Sequence, residues 1–129
     1  MRLDPAAFEA LVGQAIDGLP EWVRAHMDNV AIVVEDAPTR QQRQVGGVSP
    51  GSDLLGLYEG IPLTQRGRGY QLVPPDRITL FQRALERHAV AQGAEDHASA
   101  LVRLVRQTII HEVAHHFGFS EQQLRALDC

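Results

Sequence analysis

His111-Glu112-Val113-Ala114-His115-His116-Phe117-Gly118-Phe119-Ser120-Glu121 is the stretch on which the reading of this chain turns. Two histidines four apart on a helix lie one turn above each other on the same face, which lets two imidazoles approach one cation at about 2.0 to 2.1 Å. Glu112 projects roughly 100° round the helix from His111, within reach of a metal-activated water but not naturally a ligand, so it is the candidate general base. Gly118 follows the last periodic residue and can adopt the left-handed conformation that ends a helix and turns the chain. That turn lets Glu121 swing back towards the histidines. A catalytic zinc takes three protein ligands and keeps a position open for water, and a carboxylate beside two histidines completes such a set. The expected metal ligands are therefore His111, His115 and Glu121, with Zn2+ as the ion.

Other roles compete at each position. His111 and His115 taken as a pair alone would read as ordinary helix-surface histidines, and Glu112 could simply pair with a nearby base. His116 sits 100° from His115 and reads as a neighbour of the site more than as a ligand. Glu121 also suits the first turn of a last helix, Ser120 to Leu127, with Ser120 as N-cap. His-Glu-x-x-His alone arises in roughly two of a hundred shuffled chains of this composition, whereas adding the glycine and the following carboxylate lowers this to about two in ten thousand. The extension, chosen after inspection, still outweighs chance.

Working back from the motif, Ala98 to Phe117 contains no glycine or proline, and Leu101, Val102, Leu104, Val105, Ile109, Val113, Ala114 and Phe117 cover one broad face. It is expected to be the central helix of the core. Gln82 to Ala91 reads as a helix and Gln92 to Asp96 as a turn. Asp76 to Phe81 reads as a strand, with Leu54 to Tyr58 and Val30 to Val34 as two more; the β-branched Val30 to Val34 run suits the centre of a small sheet. Pro5 to Asp17 is amphipathic, with Asp4 as N-cap and Gly18 as stop. Thr39 to Asp53 is rich in Gln, Gly and Ser and is read as a mobile surface loop. Arg66-Gly67-Arg68-Gly69 hints at a phosphate contact, but a solvated hairpin loop fits better, since no strand-to-helix phosphate pattern surrounds it.

Three short strands mixed with helices, without regular alternation, indicate an α+β fold. At 129 residues and 44 % hydrophobic content, a single domain over residues 1–129 is expected. The net charge of −4 argues against a nucleic-acid binder that relies on neutralising phosphates. No signal-peptide run and no bilayer-length apolar stretch occur, so no membrane association is expected. Cys129 is the only cysteine, which leaves no internal disulfide and makes the cytoplasm the expected compartment. A terminal cysteine is also a poor metal ligand.

The stretch from His111 to Glu121, and more loosely the run from Leu54 to the C-terminus, resembles the minimal zincin-like metallopeptidases of small bacterial proteins. The resemblance implies a zincin core: a small mixed sheet, an active-site helix bearing the first two ligands, and a glycine turn leading to an acidic third ligand. That family typically has aspartate where this chain has Glu121. The motif is also similar to the metzincin pattern, but Met1 and Met27 both precede it, so the methionine turn of that group has no counterpart.

The function expected is a zinc-dependent metallopeptidase that hydrolyses peptide bonds through a metal-activated water, with Glu112 as base and a peptide or protein as substrate. By analogy with zincins, the Asp76 to Phe81 strand is expected to be the sheet edge that an extended peptide joins. Tyr58, Tyr70, His88 and several arginines are the candidates for stabilising the oxyanion. The rival is a weak or inactive zincin-like domain that binds a peptide or protein partner; a metal buffer ranks below both. A monomer is the default.

Overall fold

The structure is a computed structural model and describes residues 2–49, 51–60, 76–91, 96–120 and 122–123. Asp4 accepts the Ala7 N–H at 2.8 Å and Pro5 occupies the first turn of α1 (Pro5–Asp17), as a capped and proline-initiated helix should. Gly18 at its end serves close packing: a Cβ there would fall 2.3 Å from the Arg106 guanidinium. Arg106 crosses from the far end of the chain and donates to the carbonyl oxygens of Ala15 at 3.2 Å and Gln14 at 3.4 Å. Its cation thereby meets the negative end of the helix. A short helix follows, α2 (Glu21–Ala25), which the sequence reading did not anticipate.

Among the described residues the sheet has three strands, β1 (Val30–Glu35), β2 (Gly56–Glu59) and β3 (Asp76–Phe81), in the order β1-β3-β2. β1 runs parallel to β3 and β2 runs antiparallel to it. Two expectations are overturned here. Asp76–Phe81 is the central strand, paired on both sides, and not the edge; among the described residues Val30–Glu35 lies at an edge and not at the centre. The burial agrees, since every residue of β1 is only half-buried while Ile78, Thr79, Leu80 and Phe81 are all buried. An apolar run tells that a strand has a core-facing side. Its place among its neighbours depends on pairing across long sequence distances.

Between β1 and β2 the expected loop contains a helix, α3 (Arg40–Val45). Thr39 Oγ1 accepts the Gln42 N–H at 3.1 Å and Gln42 Oε1 accepts the Thr39 N–H at 2.9 Å, which is a reciprocal capping box. The signal was present as Thr-x-x-Gln and was outweighed by the surrounding glycines and glutamines.

The remaining helices are α4 (Gln82–Ala91), continuous with β3, and α5 (His97–His116). Asp96 caps α5 by accepting the Ala98 and Ser99 N–H groups at 3.0 and 3.3 Å. α5 packs against α1, α4 and β2, and its buried stripe includes Leu101, Val105, Ile109 and Val113, at four-residue spacing. These side chains meet Phe8 of α1, Leu85 of α4 and Ile78 and Leu80 of β3 in the principal apolar cluster. A three-stranded mixed sheet with helices around it is the α+β architecture expected. Among the described residues no helix is long and apolar enough to cross a membrane.

Candidate metal centre

Ile109, Ile110, Val113 and Ala114 are buried, and this fixes the rotation of the last two turns of α5. His111 and His115 consequently face outward and are both exposed. Their ring centroids lie 6.1 Å apart, with the planes nearly perpendicular at 83°. Glu112 and His116 form the neighbouring stripe, one turn apart, and it faces β2. Glu112 is half-buried, and its Oε1 accepts the Tyr58 N–H at 2.9 Å. His116 stacks on the Tyr58 ring with centroids 3.8 Å apart and planes 15° from parallel. Tyr58 is thus held by a carboxylate on its amide and an imidazole on its ring. Its hydroxyl donates to Asp76 Oδ2 at 2.8 Å, which ties this corner to the start of β3.

Burial pushes the Glu112 carboxyl above the usual carboxylate range, with the Tyr58 amide and the imidazoles of His115 and His111 pulling the other way. A carboxylate shifted in this direction takes a proton more readily.

The helix ends on a two-bond glycine turn. Gly118 has a φ of +80°, its N–H donates to His115 O at 3.2 Å, and the Phe119 N–H donates to Ala114 O at 2.7 Å. The turn is held from outside by α2. Trp22 stacks on Phe119 with centroids 4.9 Å apart, and His26 lies 4.8 Å from Phe117. Beyond the turn, Ser120 Oγ accepts the Gln123 N–H at 3.1 Å, and the Ser120 N–H donates to Gln123 Oε1 at 2.7 Å. Ser120 therefore occupies the capping position assigned to it from the sequence.

The structure brings His111, Glu112 and His115 together on one end of α5. Glu121, the third expected ligand, lies outside the described residues, as do Tyr70, the Arg66–Gly69 stretch, residues 92–95 and Cys129. Among the described residues no group of three or more His, Cys, Asp or Glu could hold a metal ion. His88, an oxyanion candidate, lies 3.5 Å from Asp53. The Tyr58 backbone amide, Asp76 and the Trp22/His26 pair escaped the sequence reading. Only the last left a local trace, two aromatic rings four residues apart after Glu21.

A family model described as zincin-like metallopeptidase matches residues 27–128. The chain belongs to the zincin-like metallopeptidase family. The zincin-like match contains the whole sheet, α4, α5 and the glycine turn, and starts after Trp22 and His26, so the aromatic support on that turn comes from outside the family-defined stretch. No curated protein matches the chain.

Proposed function

We propose that this zincin-like chain is a zinc-dependent metallopeptidase in which His111, His115 and Glu121 hold the ion and Glu112 is the general base. The observation that carries the reading is the division of labour on α5: two exposed imidazoles on one stripe, and on the next a half-buried carboxylate fixed by a backbone amide.

The donor set fits zinc. Two imidazoles on one tetrahedral zinc have centroids roughly 5 Å apart, given metal–nitrogen bonds of about 2.0 to 2.1 Å. The observed separation is 6.1 Å, about an ångström longer. Bound there, zinc would polarise the scissile carbonyl and acidify a water molecule. With Oε1 engaged by the Tyr58 N–H, Glu112 receives the proton on Oε2 and passes it to the leaving amine. Burial of Glu112 strengthens it as the acceptor in the first half of that transfer.

With β3 central, the strand for a peptide to join is β2, an edge of the sheet among the described residues. Leu55 O accepts the Phe81 N–H at 3.0 Å, whereas the Tyr58 N–H turns away from β3 towards Glu112. By the alternation of an antiparallel pair, the main-chain groups of Gly56 and Tyr58 point outward. An extended peptide added along β2 would run past Glu112.

A second reading, a non-cleaving domain that binds a peptide or protein, draws support from Tyr58, whose hydroxyl is bonded to Asp76 and not presented to a developing oxyanion. Metal content by elemental mass spectrometry, combined with cleavage of a mixed peptide library, separates the two. The peptidase reading expects one zinc per chain in the wild type, lost in His115→Ala and Glu121→Ala, and cleavage abolished in Glu112→Ala. A chain that stays metal-free when zinc is supplied would overturn it.

A further inference from the structure

The turn that ends α5 is gripped on both sides of its glycine. Phe117 and Phe119 flank Gly118, and each meets a ring from α2 or its cap: His26 lies 4.8 Å from Phe117, and Trp22 stacks on Phe119 at 4.9 Å with the planes 27° apart. His26 also meets Phe119 edge-on at 5.6 Å and Trp22 at 6.4 Å, so Trp22, His26 and Phe119 form a closed triangle of rings. The His26 ring is oriented by its Nδ1–H, which donates to Trp22 O at 2.7 Å. The support is itself anchored, because Val23 within α2 and Leu19 just before it are buried in the principal apolar cluster. The Trp22 indole N–H is buried and meets no acceptor among the described residues, so packing holds this ring and not a hydrogen bond.

Without that support the turn would be loose. His115, His116, Phe117 and Gly118 are all exposed, and the turn closes on backbone hydrogen bonds to the carbonyl oxygens of His115 and Ala114. Helix ends held mainly by exposed backbone bonds open locally at little cost. A stacked aromatic pair shifts such an equilibrium by about two- to tenfold. With a ring against each of its neighbours, Gly118 cannot leave its φ of +80° without moving Phe117 or Phe119 off a partner. The direction in which the chain leaves α5 is thus set from the other end of the sequence, and Glu121 follows Phe119 by two residues. We propose that Trp22 and His26 are positioning residues for the metal centre, holding the turn in the state from which Glu121 joins His111 and His115 on the ion. The proposal rests on the metallopeptidase reading and adds to it two residues that lie outside the family match, which begins at residue 27.

When only a fraction of a protein is in the binding-competent state, its affinity falls by that fraction. Zinc affinity of the full chain, measured by competition with a chromophoric chelator, reads this out, with urea unfolding of the metal-free proteins beside it. Trp22→Leu keeps an apolar side chain and removes the stack; it should bind zinc about three- to tenfold more weakly than wild type. Trp22→Phe keeps a ring over Phe119 and should stay within about twofold. Phe119→Leu cuts the same stack from the other side, should match Trp22→Leu, and serves in its place if the change in α2 prevents folding. Glu121→Ala should weaken zinc binding by at least about tenfold. Adding Trp22→Leu to it should change the affinity by less than about twofold, because the grip acts only through that ligand. Lower stability with wild-type zinc affinity in Trp22→Leu and Phe119→Leu would overturn the proposal and leave the metal reading intact, as would a Trp22→Leu loss that persists undiminished in the Glu121→Ala background. Zinc affinity untouched by Glu121→Ala would take down the third-ligand reading, and the positioning role with it.

Discussion

Gly56 sets the distance between the edge strand and the motif helix, and substituting alanine there measures how much the site depends on that distance. A Cβ at Gly56 would stand 2.7 Å from Thr108 Cγ2 and 3.2 Å from Thr79 O. Carbon atoms pack at about 3.5 to 4.0 Å, so the methyl contact is short by roughly an ångström, and both Gly56 and Thr108 are buried where nothing yields cheaply. Overpacking of this kind costs about 1–3 kcal/mol. Thr108→Ser removes Cγ2 while keeping the hydroxyl that donates to Leu104 O; by itself it should cost about 1 kcal/mol for one buried methyl. The double variant should then be no worse than Thr108→Ser by more than about 0.5 kcal/mol, a coupling of at least about 0.5 kcal/mol between the two positions. Urea unfolding of the four proteins gives the cycle. The same strain displaces β2 from α5 and stretches the 2.9 Å contact between the Tyr58 N–H and Glu112, so Gly56→Ala should also lose peptidase activity that Thr108→Ser restores. Strictly additive costs would refute the claim that this strand–helix contact is what Gly56 protects.

Glu112→Gln keeps an oxygen for the Tyr58 N–H but removes the proton acceptor, so zinc content should be unchanged while kcat falls by about 10²- to 10⁴-fold, and a smaller loss would remove Glu112 from the role of base. Gly118→Ala meets no atom within 4 Å, so its effect should come from the left-handed backbone alone, about 1–2 kcal/mol by thermal or urea unfolding, with weaker zinc binding in a competition titration; wild-type values for both would mean the turn is not positioned by its φ. Asp53 takes a two-point contact from Arg87, at 2.6 and 3.2 Å, and the Arg87 hydrogen bonds hold its carboxyl below the ordinary value of 3.8. A depressed folded-state pKa means stability fully present above the ordinary value and lost as pH falls through the lower, folded one. Asp53→Asn should therefore be less stable than wild type by up to about 1 kcal/mol near pH 7, and the gap should close only below the ordinary value; a gap that stays constant down to pH 3 would contradict the assignment.

What the sequence made legible was local. The His111/His115 pair, the Asp4 cap, the glycine turn and the Ser120 cap all involve residues within one or two helical turns, and periodicity and capping rules read them directly. The sheet order was not legible. β1 and β3 both present an apolar run of similar length, and only the pairing of β3 with β1, across forty intervening residues that include α3 and β2, and with β2 on its other side puts β3 in the middle. The aromatic support on the glycine turn joins Trp22 to Phe119 and His26 to Phe117, and no pattern along the chain announces a contact between its two ends.

The same distinction holds within the candidate site. That Glu112 sits about 100° from the histidines follows from helix geometry, but the direction in which that angle points is decided elsewhere. Val105, Ile109 and Val113 lie on the core at four-residue intervals, and once they are buried the Glu112/His116 stripe must face β2 while His111 and His115 face outward. Burial then raises the carboxyl above its ordinary range, while both imidazoles lie on the exposed stripe. The proposed base and the proposed ligands differ in burial on neighbouring stripes of one helix because its core face fixes both. A polar replacement at Val113, a residue with no chemistry of its own, would disturb the proposed base and the proposed ligands together.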